Sequence, residues 1–348
     1  MDNALSEKRT CIPNGIRYVA VHKKDEDEYK FTLGAAIVKH KDIWVVSYLQ
    51  SFEKENDSKS RIVCRYSFDD CKTWSDVNVV ADADESFARS HGVFYSDGDS
   101  LWIFCPKARF DSTSDFRNMD FVMESYLFNE KELCWSFDGI RSSDGFWPLC
   151  EPLRLKNGSV LVAGLECKGT HEPAVAISNG GIDSFKMICL PNKSGISTWG
   201  ETTVVENADE LIAYVRSNSD RKVFTSKSLD FGITWSDMEK TDIEAIPSKL
   251  YAGALSDGRR YLIRNIDTLE NGEKSNQRKT LSISFFEGDK NALGREYIVR
   301  NGFEEEKYRY APQWSYPYAV EENGFLYVVY TKHKWENELA IIPIESFI

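Results

Sequence analysis

The chain has 348 residues, 42% hydrophobic and 28% charged, with 43 Lys and Arg against 55 Asp and Glu and a formal net charge of −12. These values exclude a collagen-like, low-complexity or wholly disordered chain, and no apolar run reaches the roughly 18 residues of a transmembrane helix. The acidic balance also excludes nucleic-acid binding by bulk attraction, because a polyanion is repelled by a surface of its own sign.

Residues 1–9 are polar and lack the apolar segment of a secretory signal. The eight cysteines form no C-x-x-C pair and no zinc-ligand spacing. Both features lead us to expect reduced thiols and a cytoplasmic protein. No motif calls for a cofactor or a metal.

From residue 35 onward one pattern recurs. A short apolar segment runs through a polar turn into a second, more apolar segment. The pairs are 35–38 with 43–48, 93–95 with 101–104, 153–155 with 160–163, 203–205 with 211–215, 252–255 with 261–263, and 318–320 with 325–330. Gly98, Gly158, Gly258 and Gly324 sit in four of the turns, where Asn-Gly and Asp-Gly supply the positive φ that tight hairpins need. The hairpins recur about every 50 to 65 residues, the period of propeller blades. Each repeat leaves room for two further strands. The spacing therefore predicts an all-β, six-bladed β-propeller of four-stranded antiparallel blades, filling 1–348 as one domain. The last apolar segment, 339–344, is expected to close the ring with N-terminal residues.

Two stretches stand out between the hairpins. Ser67-Phe68-Asp69-Asp70-Cys71-Lys72-Thr73-Trp74 fits S-x-D-x-x-x-T-W, and Ser228-Leu229-Asp230-Phe231-Gly232-Ile233-Thr234-Trp235 fits the full S-x-D-x-G-x-T-W. Each reads as a turn in which the Asp accepts backbone hydrogen bonds and the Trp packs between strands. We assign these aspartates a structural role, not a catalytic one.

In a propeller the first strand of each blade lines the central shaft. Residues at the starts of first strands and the ends of second strands converge on one mouth. Collected from the sequence, these are 30–33, 89–91, 147–151, 199–201, 249–251 and 314–317, with Lys107, Arg109, Arg216, Arg264 and Lys332 among the second-strand ends. They are rich in aromatics, arginines and lysines, which suits a pocket for a polar, anionic sugar. Aromatic faces stack on sugar rings and guanidinium forks grip carboxylates. The candidate substrate contacts among them are Arg89, His91, Arg109, Trp147, Glu151, Lys249 and Arg216.

The two Asp boxes and the order of the mouth segments resemble the sialidase family. The segment Trp199-Gly200-Glu201-Thr202-Thr203-Val204-Val205-Glu206 with Arg216 resembles the one carrying a catalytic Glu and a carboxylate-binding Arg. Arg278 resembles the next arginine, and Tyr316 before Pro317 resembles the nucleophilic tyrosine. The resemblance implies an exo-glycosidase. Tyr316 would attack, Glu201 would be its base, and Asp57, in a loop that also holds Glu53 and Glu55, would be the acid/base. A neutral phenol avoids the repulsion a carboxylate nucleophile would meet at an anionic sugar. One position departs from the family: 29–34 contains no arginine, and Lys30 stands there instead, which cannot make a bidentate grip. Two other readings remain open. One is a lyase on uronate-linked glycans, with His91 and Tyr251 or Tyr316 as base and acid. The other is a non-catalytic glycan-binding propeller.

Overall fold

A computed structural model of the protein describes residues 10–55, 57, 59–83, 87–109, 121–169, 171–267, 277–288, 292–302 and 311–348. Six antiparallel sheets stand around a central shaft. Blade 1 is Phe31–His40, Ile43–Ser51, Arg61–Ser67 and Asn78–Ala81, in that order from the shaft outward. Blade 4 (Thr198–Asn207, Glu210–Ser217, Lys222–Ser228, Glu239–Glu244) repeats this plan without interruption. In blades 2 and 3 the inner strand is broken in two, Phe87–Arg89 with Val93–Ser96 and Phe146–Pro148 with Leu153–Arg154.

The ring closes as the sequence predicts. Arg17–His22 becomes the outer strand of blade 6, antiparallel to Glu336–Pro343. One addition was not legible: Thr10–Cys11 pairs in parallel with Leu293–Asn301, the outer strand of blade 5. The N-terminal segment thus staples two adjacent blades, and the Tyr18 hydroxyl donates to the Val299 carbonyl at 2.9 Å.

Much of the aromatic content lies between blades. Trp44 of blade 1 packs on Tyr327 of blade 6 with ring centres 4.2 Å apart, and Tyr214 of blade 4 stacks on Phe286 of blade 5 at 5.1 Å. Large flat side chains fill the wedge between twisted sheets and bury extensive apolar surface.

The Asp boxes are the turns between third and fourth strands, at the end of the shaft opposite the mouth. Asp69 accepts from the Lys72 and Thr73 N–H groups (3.1 and 2.9 Å) and the Thr73 hydroxyl (2.7 Å). Asp230 repeats the Thr contacts at 2.8 and 2.6 Å. Cys71 stands in the place of Gly232 and adopts the same left-handed backbone, φ 62° against 85°. The hydrogen bonds of the first box survive that replacement. Those to Thr73, Ser67 and Lys72 hold the Asp69 carboxyl down at about 2.

Candidate functional site

Three inner strands change register at the level of the mouth: between Leu33 and Ala36, between Thr198 and Thr202, and between Ser315 and Tyr318. Each irregularity contains a residue at positive φ: Gly34 (64°), Gly200 (80°) and Tyr316 (57°). Glycine is required at the first two. A Cβ on Gly34 would lie 2.0 Å from the His91 ring, and one on Gly200 would lie 2.2 Å from the His171 carbonyl oxygen. Tyr316 adopts the same conformation with a full side chain, which costs about 1–3 kcal/mol. It is held there by burial, 6% exposed, in a cluster with Phe31, Leu33 and Leu49. Backbone strain at such a position re-aims the side chain, here toward charged groups.

Those groups come from three blades. Arg216 Nη1 lies 2.5 Å from Glu201 Oε2, both nearly buried. Burial pulls the Arg216 guanidinium down, but Glu201 and the Tyr316 phenol outweigh it and hold its pKa above the usual value. The Arg278 guanidinium sits 5.9 Å from the Tyr316 ring centre and is fixed by the Gln313 side chain (2.9 Å) and the Pro247 carbonyl (3.1 Å). Burial, then Glu201 and Glu55, push the Tyr316 phenol well up, with Arg216 and Arg278 opposing. The phenol is therefore neutral at rest, and any reaction through its oxygen needs a base to take the proton as the bond forms.

Other expected contacts fall elsewhere. The Asp57 carboxylate accepts the Lys59 N–H at 3.0 Å within its own turn. Glu55, two residues earlier, is the loop carboxylate that acts on Tyr316, and its Oε2 takes a 2.5 Å hydrogen bond from Lys334. Arg89 turns to Glu124 (3.6 Å), which also holds Lys107 (3.1 Å), so these charges are satisfied within blade 2. Arg109 ends the second strand of that blade, exposed beside residues 110–120, which lie outside the described set. Trp147 is no open platform, because it is buried between Phe121 (5.6 Å) and His91 (5.3 Å). His91 is 3% exposed, against the edge of Tyr316 at 5.7 Å, and burial followed by the Lys249 charge lowers its pKa to about 3. Lys249, also 3% exposed, donates to the Pro317 carbonyl at 3.2 Å and forms part of the floor beneath the mouth. Glu151 lines a different chamber of the shaft, with Glu206, Glu321, Tyr251 and Tyr261. Lys30 pairs with Asp25 at 2.9 Å.

Two further residues stand at the mouth: Trp199, which the sequence argument put in a mouth segment without giving it a contact, and Lys334, which it did not name. Trp199 is 38% exposed, with the Arg216 guanidinium 5.7 Å from its ring. Lys334 comes from the turn between the second and third strands of blade 6, and its ammonium stands 5.8 Å from the Phe31 ring. A groove of about 650 Å³ lies between the outer strands of blades 4 and 5, and its one arginine, Arg264, is paired with Glu296. Chemistry, not volume, points to the mouth.

Residues 48–328 match the BNR repeat-like domain family. This chain belongs to that family. Among solved structures, this BNR-repeat propeller is similar to a Hadza microbial sialidase (TM-score 0.74, 10% identity, covering 94% of this chain and 69% of that one). It is also similar to a Dyadobacter fermentans protein of unknown function (0.72, 14%, 94% and 99%). A third is the intramolecular trans-sialidase of Ruminococcus gnavus bound to oseltamivir carboxylate (0.71, 12%, 94% and 98%). At these identities the likeness establishes a shared six-bladed sialidase-like fold. No curated protein matches this chain by sequence.

Proposed function

We propose that this protein is an exo-glycosidase that cleaves a terminal anionic sugar with Tyr316 as nucleophile. The observation that carries the reading is the convergence of Glu201, Arg216, Arg278 and Tyr316, from three blades, around one phenol oxygen. Arg216 and Arg278 grip the substrate carboxylate, and Trp199 offers a face to the ring. The Tyr316 oxygen bonds to the anomeric carbon as its proton passes to Glu201. The bond to the leaving group breaks, and the leaving oxygen takes a proton through Glu55 from the Lys334 ammonium paired with it, so that Glu55 fills the role expected of Asp57. Water then attacks the glycosyl-tyrosine with Glu55 as base, and the phenolate recovers its proton from Glu201.

Glu201 is paired with Arg216 at rest. A substrate carboxylate competes for the guanidinium and frees the Glu201 oxygen to act as base. The lyase reading is weaker, because a histidine held at about 3 and 3% exposed is a poor proton acceptor at neutral pH. The binding-module reading draws support from Lys30, which stands where the family carries an arginine and is engaged with Asp25.

The test is a panel of aryl sialosides and aryl uronosides with product detection. Wild-type protein is expected to release the phenol from at least one. Tyr316→Phe and Glu201→Gln are expected to lose that turnover while keeping the wild-type melting profile. Binding of a glycoside with no release from any of them would favour the binding module. An unsaturated uronate product would favour the lyase.

A further inference from the structure

We propose that the shaft holds a second binding site, below the floor of the mouth, for a small organic ammonium ion, with Glu151 as its principal anionic contact. A chamber of about 210 Å³ opens there among the inner strands of blades 3, 4, 5 and 6. Glu151, Glu206 and Glu321 line it together with Tyr251 and Tyr261, and no lysine, arginine or histidine does.

Its polar groups are unequally satisfied. Glu321 accepts the N–H and the hydroxyl of Ser256 at 2.5 and 2.6 Å, and the Tyr251 hydroxyl donates to the Ala319 carbonyl at 2.7 Å. Glu151 has neither ion pair nor hydrogen bond among the described residues and stands exposed at the chamber wall. The Tyr261 hydroxyl, on a side chain 3% exposed, likewise has no hydrogen-bond partner among the described residues. An open carboxylate beside a phenol on a buried side chain with no partner marks a place for a ligand that donates to both.

The ligand's charge follows from the walls. Three carboxylates without a basic counterpart favour a cation, and tyrosine faces favour an ammonium. A bare metal ion fits poorly, since no group of three or more His, Cys, Asp or Glu converges on one point among the described residues. An elongated amine spans dispersed carboxylates that a point charge cannot reach together. The site is separate from the mouth: none of Glu201, Arg216, Arg278 and Tyr316 lines it. Desolvation raises the Glu151 carboxyl to about 7, so a bound cation also relieves the cost of ionising it. Cys150, Tyr251, Tyr261 and Tyr318 feel the same carboxylate, and Glu206 and Glu321 face it across the chamber. The proposal does not depend on the glycosidase reading.

Isothermal titration of the full chain at pH 8 with butane-1,4-diamine tests it, with butane-1,4-diol and calcium chloride as controls. The diamine is expected to bind one to one and the diol not at all. Glu151→Gln is expected to weaken the diamine at least about tenfold, Tyr261→Phe by a few fold, and Arg216→Ala, at the mouth, to leave it unchanged. The wild-type comparison of diamine with diol needs no variant, so a folding defect does not obscure the answer. No diamine binding up to about 10 mM, equal binding of the diol, tighter binding of calcium, or undiminished affinity in Glu151→Gln would each overturn the proposal.

Discussion

Tyr316 and Tyr318 stand two residues apart on one inner strand, yet the first faces two arginines and the second a bare carboxylate. The mouth is a closed network: Arg216 is held by Glu201, Arg278 by Gln313, and Lys334 by Glu55. The chamber below is open, with Glu151 and the Tyr261 hydroxyl unpartnered among the described residues. The difference teaches that a propeller shaft is not one environment. Buried side chains, Lys249 among them, separate an upper part preorganised by paired charges from a lower part whose exposed carboxylate has no basic partner among the described residues.

The largest effect is expected where the mouth network is cut at its reacting atoms. Tyr316→Phe and Glu201→Gln should each lower kcat by about 10²–10⁴-fold, measured on whichever aryl glycoside the wild type hydrolyses. Next comes the choice between the two loop carboxylates. Glu55→Gln should lower kcat by about 10²-fold or more, with a smaller loss on substrates whose leaving group needs no proton. Asp57→Asn should change it far less. The reverse order would return the acid/base role to Asp57.

The strained backbone gives a stability test. Gly200→Ala places a Cβ against the His171 carbonyl at a φ of 80°, and should cost about 2 kcal/mol or more in urea unfolding. An equal cost for Gly98→Ala, whose Cβ meets nothing within 4 Å, would show that the close approach is unimportant.

The smallest effects are in pH. Desolvation raises the Glu151 carboxyl from its usual 4.5 to about 7. Between those values the folded chain holds a proton that the unfolded chain has lost, so this group makes stability fall as pH rises through that window. Glu151→Gln should flatten that part of the melting-temperature profile. Asp69 has the opposite sign. Its carboxyl is lowered from 3.8 to about 2 by hydrogen bonds to Thr73, Ser67 and Lys72. Its contribution is complete above about pH 4 and disappears as pH falls toward 2, and Asp69→Asn should remove that acid-side slope.

The six blades were legible because hairpins announce themselves locally: apolar segments around Asn-Gly or Asp-Gly turns repeat at a fixed period. Glu201, Arg216 and Tyr316 could be collected because each lies near the mouth end of a strand whose limits the turns define, whereas Arg278 came from the family resemblance alone. What failed was side-chain direction. The inner strand of blade 3 breaks between Pro148 and Leu153, so Glu151 drops into the lower shaft, where an unbroken strand was assumed. Trp147 looked like a platform because the sequence does not reveal that Phe121 covers it. Arg89 looked free because Glu124, its partner, is 35 residues away along the chain. Glu55 and Asp57 share a loop, and only the turn that binds the Asp57 carboxylate to Lys59 separates them.

The most direct test of the central claim is intact-protein mass after rapid acid quench during turnover of the aryl glycoside that the wild type cleaves. The account predicts a protein heavier by one glycosyl residue, with the added mass on the peptide containing Tyr316 and absent from Tyr316→Phe. Steady turnover with the adduct on another residue, or undiminished turnover by Tyr316→Phe, would contradict it.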